Sequence, residues 1–363
     1  TDGTGEWLAG SGVEHRTLDR NRGGAGGFHE GLRLASFFTY PNANAAFMLI
    51  MILMALYFVT GGPNNKWKMV HGAMLVPIVT AFLLTLSRGA MVMLPLIALL
   101  TLLMFNMRRQ IMMMIYFAVA GVLSFVLMQD LADRGADTYH RVTTTQPVER
   151  LGLFEGSSAG GWLYLLAATI VMAGITYVVQ RYVEPVVNRT EKAASNKKGF
   201  RFLIPGVLVV LTVAAAGLIA SGALNSVLPA RLQDVTWRTH SVLERLYIYR
   251  DTIEIWKLNP IIGGGGGVWE ALYNQYQDYP FSSAQTHSYV MQLLAEIGIV
   301  GLIFVVGLVG YILVSYARKY FKSDEGEQSI HALYFIIAIS ILLHSVIDFE
   351  MSYIYFGIVA FSA

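Results

Sequence analysis

The sequence predicts an all-α, polytopic helical membrane protein with about eight or nine spans. Three observations predict it. Of 363 residues, 55% are hydrophobic and only 14% are charged, where soluble domains carry about a quarter charged residues. The apolar residues fall in long unbroken blocks, each of a length that crosses a ~30 Å hydrocarbon core. Short polar or glycine–proline breaks separate the blocks. The absence of cysteine excludes disulfides and cysteine-ligated metal. The net charge of +2 is uninformative as a total. No signal peptide is visible. The chain begins at Thr1 without Met and stops in an apolar stretch at Ala363, so we expect a piece of a longer protein, with spans missing on one or both sides.

Taken in order, residues 1–42 are polar and glycine-rich, with glycines at 23, 24, 26 and 27, and they end in Arg33…Tyr40-Pro41-Asn42. Span one is Ala43–Thr60, closed by Gly61-Gly62-Pro63. Span two is Met69–Leu86. Ser87-Arg88-Gly89 makes a very tight break before span three, Ala90–Phe105. Span four is Gln110–Met128, followed by a polar loop over 129–160. Span five is Gly161–Gln180, followed by a basic loop over 181–201. Span six is Phe202–Ser221. A large polar segment, 222–298, precedes span seven, Ile299–Ala317. A charged turn covers 318–330, span eight is His331–Ile347, and Met351–Ala363 begins something further. No internal repeat and no second soluble domain is visible. The expected organisation is one membrane domain over 1–363, with 222–298 as its large loop.

Eight spans divide the connections into two sets. The segments 61–68, 106–109, 181–201 and 318–330 are short and carry an excess of Lys and Arg. The segments 1–42, 87–89, 129–160 and 222–298 are longer in sum and carry an acidic excess. The positive-inside rule puts the first set in the cytoplasm. Arg33, Arg88 and the whole of 222–298 then share the outer face.

The chemistry-bearing residues concentrate in Ser241–Ile299. Periodicity predicts a helix over 241–258, on which Arg245, Tyr249, Thr252 and Trp256 share one face. Guanidinium forks bind phosphate oxygens bidentately and stay charged in a dry site, so Arg245 and Arg250 suit a diphosphate group. They equally suit lipid headgroups, reached by snorkelling. Gly263–Gly267 can bring backbone N–H groups, those of Gly263 and Gly265 among them, to an anion, or serve as a hinge. The run is not a Walker or Rossmann fingerprint. His287 precedes the helical pattern Tyr289–Glu296, and an imidazole near pKa ~6.5 can take a proton from a hydroxyl. A structural interfacial histidine is the bland alternative. No zincin-type spacing occurs, so no metal site is indicated. Together these residues read as a site for a lipid-linked anionic substrate.

Outside that segment, Arg88 in so short a break needs a cavity, a partner or a headgroup. Arg33 and Asn42 bracket the aromatic run before span one. His344 and Asp348 lie four apart near the end of span eight and form a functional or a structural pair. Asp130, Asp133, Asp137 and Glu149 read as a solvated face. Arg189–Arg201 reads as a basic loop near anionic lipid. The 16 methionines read as lipid- or core-facing filler.

Four stretches in this order resemble the O-antigen ligase-related superfamily, which includes O-antigen ligases, O-antigen polymerases and protein O-oligosaccharyltransferases. They are Arg33…Tyr40-Pro41-Asn42; Ser87-Arg88-Gly89; Arg245…Asn259-Pro260-Ile261-Ile262-Gly263; and His287-Ser288-Tyr289…Leu293-Leu294-Ala295-Glu296-Ile297-Gly298. The late His344…Asp348 pair is similar to the family's pattern as well. The glycine run is longer than the family's alternating Gly-x-Gly.

The resemblance implies a metal-independent, inverting glycosyltransferase of the bacterial cytoplasmic membrane, working at the outer face without a cofactor. Its donor would be a glycan on undecaprenyl diphosphate, and its acceptor a glycan, lipid or protein hydroxyl. Membrane lipids are expected around it, and nucleic acid is not. His287 would be the base and Arg245 the diphosphate clamp. Arg33, Arg88, Arg250, Gly263, Gly265 and Tyr289 would contact substrate, with His344 and Asp348 in support. Two other classes stay open. A transporter or flippase of lipid-linked glycans would use the cations for binding and His344/Asp348 for coupling. A non-catalytic envelope-assembly protein would tolerate loss of His287.

Overall fold

The computed structural model describes residues 12–15, 32–36, 38, 40–62, 64–144, 156–194, 199, 202–223, 239–278, 283 and 285–361. The glycines of 23–27, Glu149 and Ser195 lie outside them. The chain divides into two compact units, one of 1–88 with 94–236, the other of 89–93 with 237–363.

The first unit opens with an unexpected feature. Strands β1 (Gly12–His15) and β2 (Leu32–Ser36) pair antiparallel within the stretch read as merely polar and glycine-rich. Helix α1 (Pro41–Gly61) follows, with proline in its first turn, where no N–H is needed. Helix α2 (Asn65–Leu84) is capped by Asn64, whose side chain accepts the Lys66 N–H at 2.9 Å. The short turn at 85–87 leads to α3 (Arg88–Met104). Then come α4 (Met107–Thr144) and α5 (Gly156–Val178), which runs through a π turn, Val179–Val183, into α6 (Glu184–Ala194). Helix α7 (Leu203–Ala220) is the last described helix of this unit.

Among the described residues of the chain, seven helices are long and apolar enough to cross a membrane. The span expected at 90–105 is α3, a 17-residue apolar helix, at the short end of what spans a bilayer. Helix α1 is apolar on all sides and mostly buried by its neighbours. Helix α2 approaches α5 so closely that a Cβ on Gly72 would run into the Thr176 side chain. Helix α7 instead leaves Val207, Val210, Leu211 and Val213 exposed, an apolar surface that only lipid or protein can cover.

Two expectations need correction. The polar segment after span four is not a loop from 129 onward: α4 continues to Thr144. Its polar part is held by i,i+4 pairs, with Arg134 donating to Asp130 at 2.7 Å and Gln129 to Asp133 at 3.1 Å. The basic loop is likewise helical through Ala194. In both places a run of helix-forming polar residues extends the helix past the apolar block, and hydropathy marks only where that block stops.

The polar ends of the first unit sort as the loop sets predict. Lys68 reaches Glu184 at 3.1 Å, Arg108 also pairs with Glu184, and the Arg108 N–H donates to Glu191 at 3.2 Å. These bonds gather the connections 61–68, 106–109 and 181–194. Elsewhere in the unit, Arg33 Nε donates to the Thr85 carbonyl at 2.8 Å, which joins β2 to the α2–α3 turn.

The second unit contains α8 (Thr239–Trp256), α9 (Val268–Tyr276), α10 (Tyr289–Lys322), α11 (Glu325–Ile347), a 3₁₀ turn (Glu350–Ser352) and α12 (Ile354–Phe361). Ile248 and Ile255 of α8 bury against Trp269 of α9. Helix α10 breaks at Gly298 (φ 64°, ψ −172°), one residue before the predicted start of span seven. The break strips helical partners from backbone groups that cannot stay unpaired in an apolar setting. The segment 260–265 supplies them. Gly264 and Gly265 donate N–H to the carbonyls of Ala295 and Glu296, and the carbonyls of Pro260 and Ile261 accept from Ile299 and Val300.

Candidate active site

The site is assembled where α8, the start of α10 and the end of α11 meet inside the second unit. Helix α11 stops at Asp348, whose backbone is extended (φ −152°, ψ −173°) while its N–H still donates to the His344 carbonyl. That turn swings the carboxylate away from the helix. The side chain is 2% exposed, and a buried carboxylate needs partners. It has Arg245 Nη2 at 3.3 Å on Oδ2 and His287 Nδ1 at 3.6 Å from Oδ1. The second distance lies just beyond hydrogen-bond length. Burial pushes the Asp348 carboxyl up, but His287, Arg245 and His344 together outweigh it and draw it down to about 2.

Arg245 and Tyr249 both project from α8 into this cluster, as their spacing predicts. Arg245 Nη1 donates to the Ile347 carbonyl at 2.7 Å. A guanidinium has five N–H donors, so three remain without a protein partner among the described residues, and the side chain is 30% exposed. Tyr249 donates its hydroxyl to the His287 carbonyl at 2.9 Å. Thr252, on the same face, is buried and bonds back to Ile248. Trp256 donates its indole N–H to Pro260.

His287 is held on several sides. Its φ is +50°, a left-handed conformation that costs a non-glycine residue about 1–3 kcal/mol and persists only where surroundings enforce it. Tyr249 grips its carbonyl, Phe349 packs edge-on against its ring at 5.6 Å, and the neighbouring Tyr289 N–H donates to the Asp348 carbonyl at 3.0 Å. Ser288 caps α10 through Met291. A strained histidine, a buried aspartate and a half-open arginine thus converge, and such a set can accept a proton and stabilise an anion.

The expected His344–Asp348 pair forms differently. Asp348 turns to His287 and Arg245, while His344 Nδ1 lies 2.7 Å from Glu350 Oε1. Both side chains are buried, at 1% and 0% exposure. His344 Nε2 and Glu350 Oε2 have no hydrogen-bond partner among the described residues. Burial raises the Glu350 carboxyl above its ordinary range, and His344 opposes it. Glu350 was missed in the sequence. Its signal was an acidic residue between Phe349 and Met351 in an apolar run, which is expensive unless paired. Gly89 packs over the same helix end, where an added Cβ would come within 3.0 Å of Ile347 and 3.5 Å of His344 Nε2.

The other expected contacts fall elsewhere. Arg250 is 63% exposed and pairs with Asp278 at 2.9 Å. Its position on α8, five residues past Arg245, turns it to another face. The N–H groups of Gly263, Gly264, Gly265 and Gly267 all donate to protein oxygens, the last to Glu296 Oε1 at 3.1 Å. Those of Gly264 and Gly265 close the α10 break, and none of the four is offered to an anion. Arg33 and Arg88 belong to the first unit, where Arg33 also donates to Asn42 at 2.7 Å.

A family model described as O-antigen ligase matches residues 148–306. The matched stretch contains Arg245, Arg250, the glycine run, His287 and Tyr289, and it ends before His344 and Asp348. No curated protein and no solved structure matches the chain.

Proposed function

We propose, from the match of residues 148–306 to a family model described as O-antigen ligase, that this chain is a membrane glycosyltransferase of the O-antigen ligase-related superfamily with a specific reaction. The protein moves a glycan from an undecaprenyl-diphosphate carrier to an acceptor hydroxyl at the outer face of the bacterial cytoplasmic membrane. The transfer inverts the anomeric centre and uses no metal. The observation that carries this reading is the cluster of His287, Asp348 and Arg245.

In this reaction His287 takes the proton of the acceptor hydroxyl as its oxygen bonds to the anomeric carbon. The bond from that carbon to the diphosphate breaks, and the diphosphate leaves as an anion. One displacement inverts the centre. Asp348 holds the imidazole through Nδ1 and stabilises the imidazolium that forms, as a carboxylate does in hydrolase triads. The remaining donors of Arg245 stabilise the charge growing on the diphosphate. That leaving group needs no acid, so one base suffices. Tyr289 lies at the acceptor side in this proposal, and the buried His344–Glu350 pair supports the turn that presents Asp348.

The test is transfer from a purified undecaprenyl-diphosphate glycan by the full-length protein in lipid nanodiscs, with chelator present and a panel of hydroxyl acceptors. His287→Ala and Arg245→Ala should each lower turnover by about a hundredfold or more while remaining in the membrane. Wild-type turnover in both variants overturns the site. Donor bound but never consumed, across the whole panel, overturns the transferase reading in favour of a carrier.

A further inference from the structure

A second feature of the same unit lies one residue from His287. Thr286 forms part of the wall of a cavity of about 200 Å³ lined by Gly267, Trp269, Glu270, Gln285, Gln292 and Glu296. That is the volume of about seven liquid waters, the scale of one sugar ring. Among the described residues the lining contains no Lys, Arg or His.

The polar groups of the wall are only partly used. Glu296 Oε1 accepts from the Gly267 N–H at 3.1 Å and from Gln292 Nε2 at 3.2 Å. Its other oxygen has no protein donor among the described residues, and neither the Glu270 carboxylate nor the Gln285 amide has a partner there. Gln292 is oriented from behind by Ser352, which donates to its Oε1 at 2.8 Å. Trp269 spends its indole N–H on the Ser283 carbonyl at 3.1 Å and stacks on Tyr273 at 5.6 Å. It therefore contributes apolar ring surface, not a donor. A wall of two carboxylates, two amides and an indole accepts hydrogen bonds from a ligand and offers an apolar patch. It repels negative charge, because nothing in the lining compensates one.

We propose that this cavity seats the acceptor, and that the acceptor group it selects is an uncharged or amine-bearing sugar ring, with uronic, phosphorylated and other anionic sugars turned away. This rests on the transferase reading above. The two flanks of His287 then divide the work by charge: Arg245 receives the anionic donor, and the Glu270/Glu296 cavity holds the hydroxyl-rich acceptor with one hydroxyl presented to the base. The same repulsion keeps the donor diphosphate out of the acceptor seat.

The test separates binding from turnover. Saturation-transfer NMR on the full-length protein in nanodiscs, without donor, would compare a neutral, an amino, a uronic and a phosphorylated monosaccharide. The neutral or amino sugar should bind and the anionic ones should not. Glu270→Gln and Glu296→Gln should weaken that binding by about tenfold. Glu270 holds no structural bond among the described residues, and glutamine at 296 can still accept the Gly267 N–H, so both variants keep the fold. In transfer assays they should raise KM for the acceptor with KM for the donor unchanged, and Glu270→Lys should admit anionic acceptors. No sugar binding by wild type, or transfer to anionic acceptors as readily as to neutral ones with both glutamine variants silent, overturns the proposal. Sugar binding that depends on Glu270, without transfer to any acceptor, would overturn the transferase reading alone.

Discussion

Asp348 shows how much one buried charge organises. In an unfolded chain an aspartate titrates near 3.9, whereas the folded site draws Asp348 down to about 2. The fold therefore stabilises the ionised form. That contribution is fully present above about pH 4 and is lost as the pH falls towards 2. Asp348→Asn should accordingly lower the unfolding temperature at neutral pH, and the gap between variant and wild type should close between about pH 4 and pH 2. A gap independent of pH would show that the carboxylate is not held ionised by its neighbours. The same variant should cut transfer by about a hundredfold or more, because the imidazole loses its orienting charge while Arg245 keeps its bond to the Ile347 carbonyl.

At the scale of the element, the glycine run and the break in α10 are one device. Gly263 and Gly298 both take positive φ, +76° and +64°. A Cβ on Gly263 would strike the Glu296 backbone, and one on Gly298 the Ile261 carbonyl and the Gly263 nitrogen. Backbone meets backbone there, so nothing can rotate aside. Gly298→Ala should destabilise the protein by about 2 kcal/mol or more, read as a fall in unfolding temperature in nanodiscs. Gly266→Ala, with φ outside the left-handed region and open space at its Cβ, should fall far less. Equal losses would mean that the clasp is not what fixes α10. The clasp also explains why the cavity has a wall: the Gly267 N–H bond to Glu296 ties the start of α9 to α10.

For the whole molecule, orientation is the outstanding prediction. The chain has no cysteine, so single substitutions give clean labelling sites. Ser283→Cys should react with a membrane-impermeant maleimide on intact cells with the outer membrane opened, and Ser195→Cys only after lysis. The reverse pattern would refute the outer-face assignment. The convergence of Lys68 and Arg108 on Glu184 supports one premise of this order, that connections read as a basic set meet at one polar end.

The apolar blocks alone determined the class of protein, since no folded state in water covers so many long hydrophobic runs. The spacing on α8 determined that Arg245 and Tyr249 share one face, because a 3.6-residue period is a property of the backbone. Arg245 and His287 were legible as residue types that bind phosphate and move protons. The ends of α4 and α6 were not legible, because a polar stretch can continue a helix without any change that hydropathy registers. The β1–β2 ladder was not legible either, since one ladder hardly stands out in a polar, glycine-rich stretch. Nor were the partners: that Asp348 turns to His287 and Arg245 while His344 takes Glu350 depends on an extended residue at the end of α11 and on a 3₁₀ turn after it. The glycines announced freedom of backbone, but whether their N–H groups would face an anion or a broken helix was decided by which donors the break at Gly298 left wanting. Contacts between residues sixty or a hundred positions apart are made by packing, and a local pattern carries no record of them.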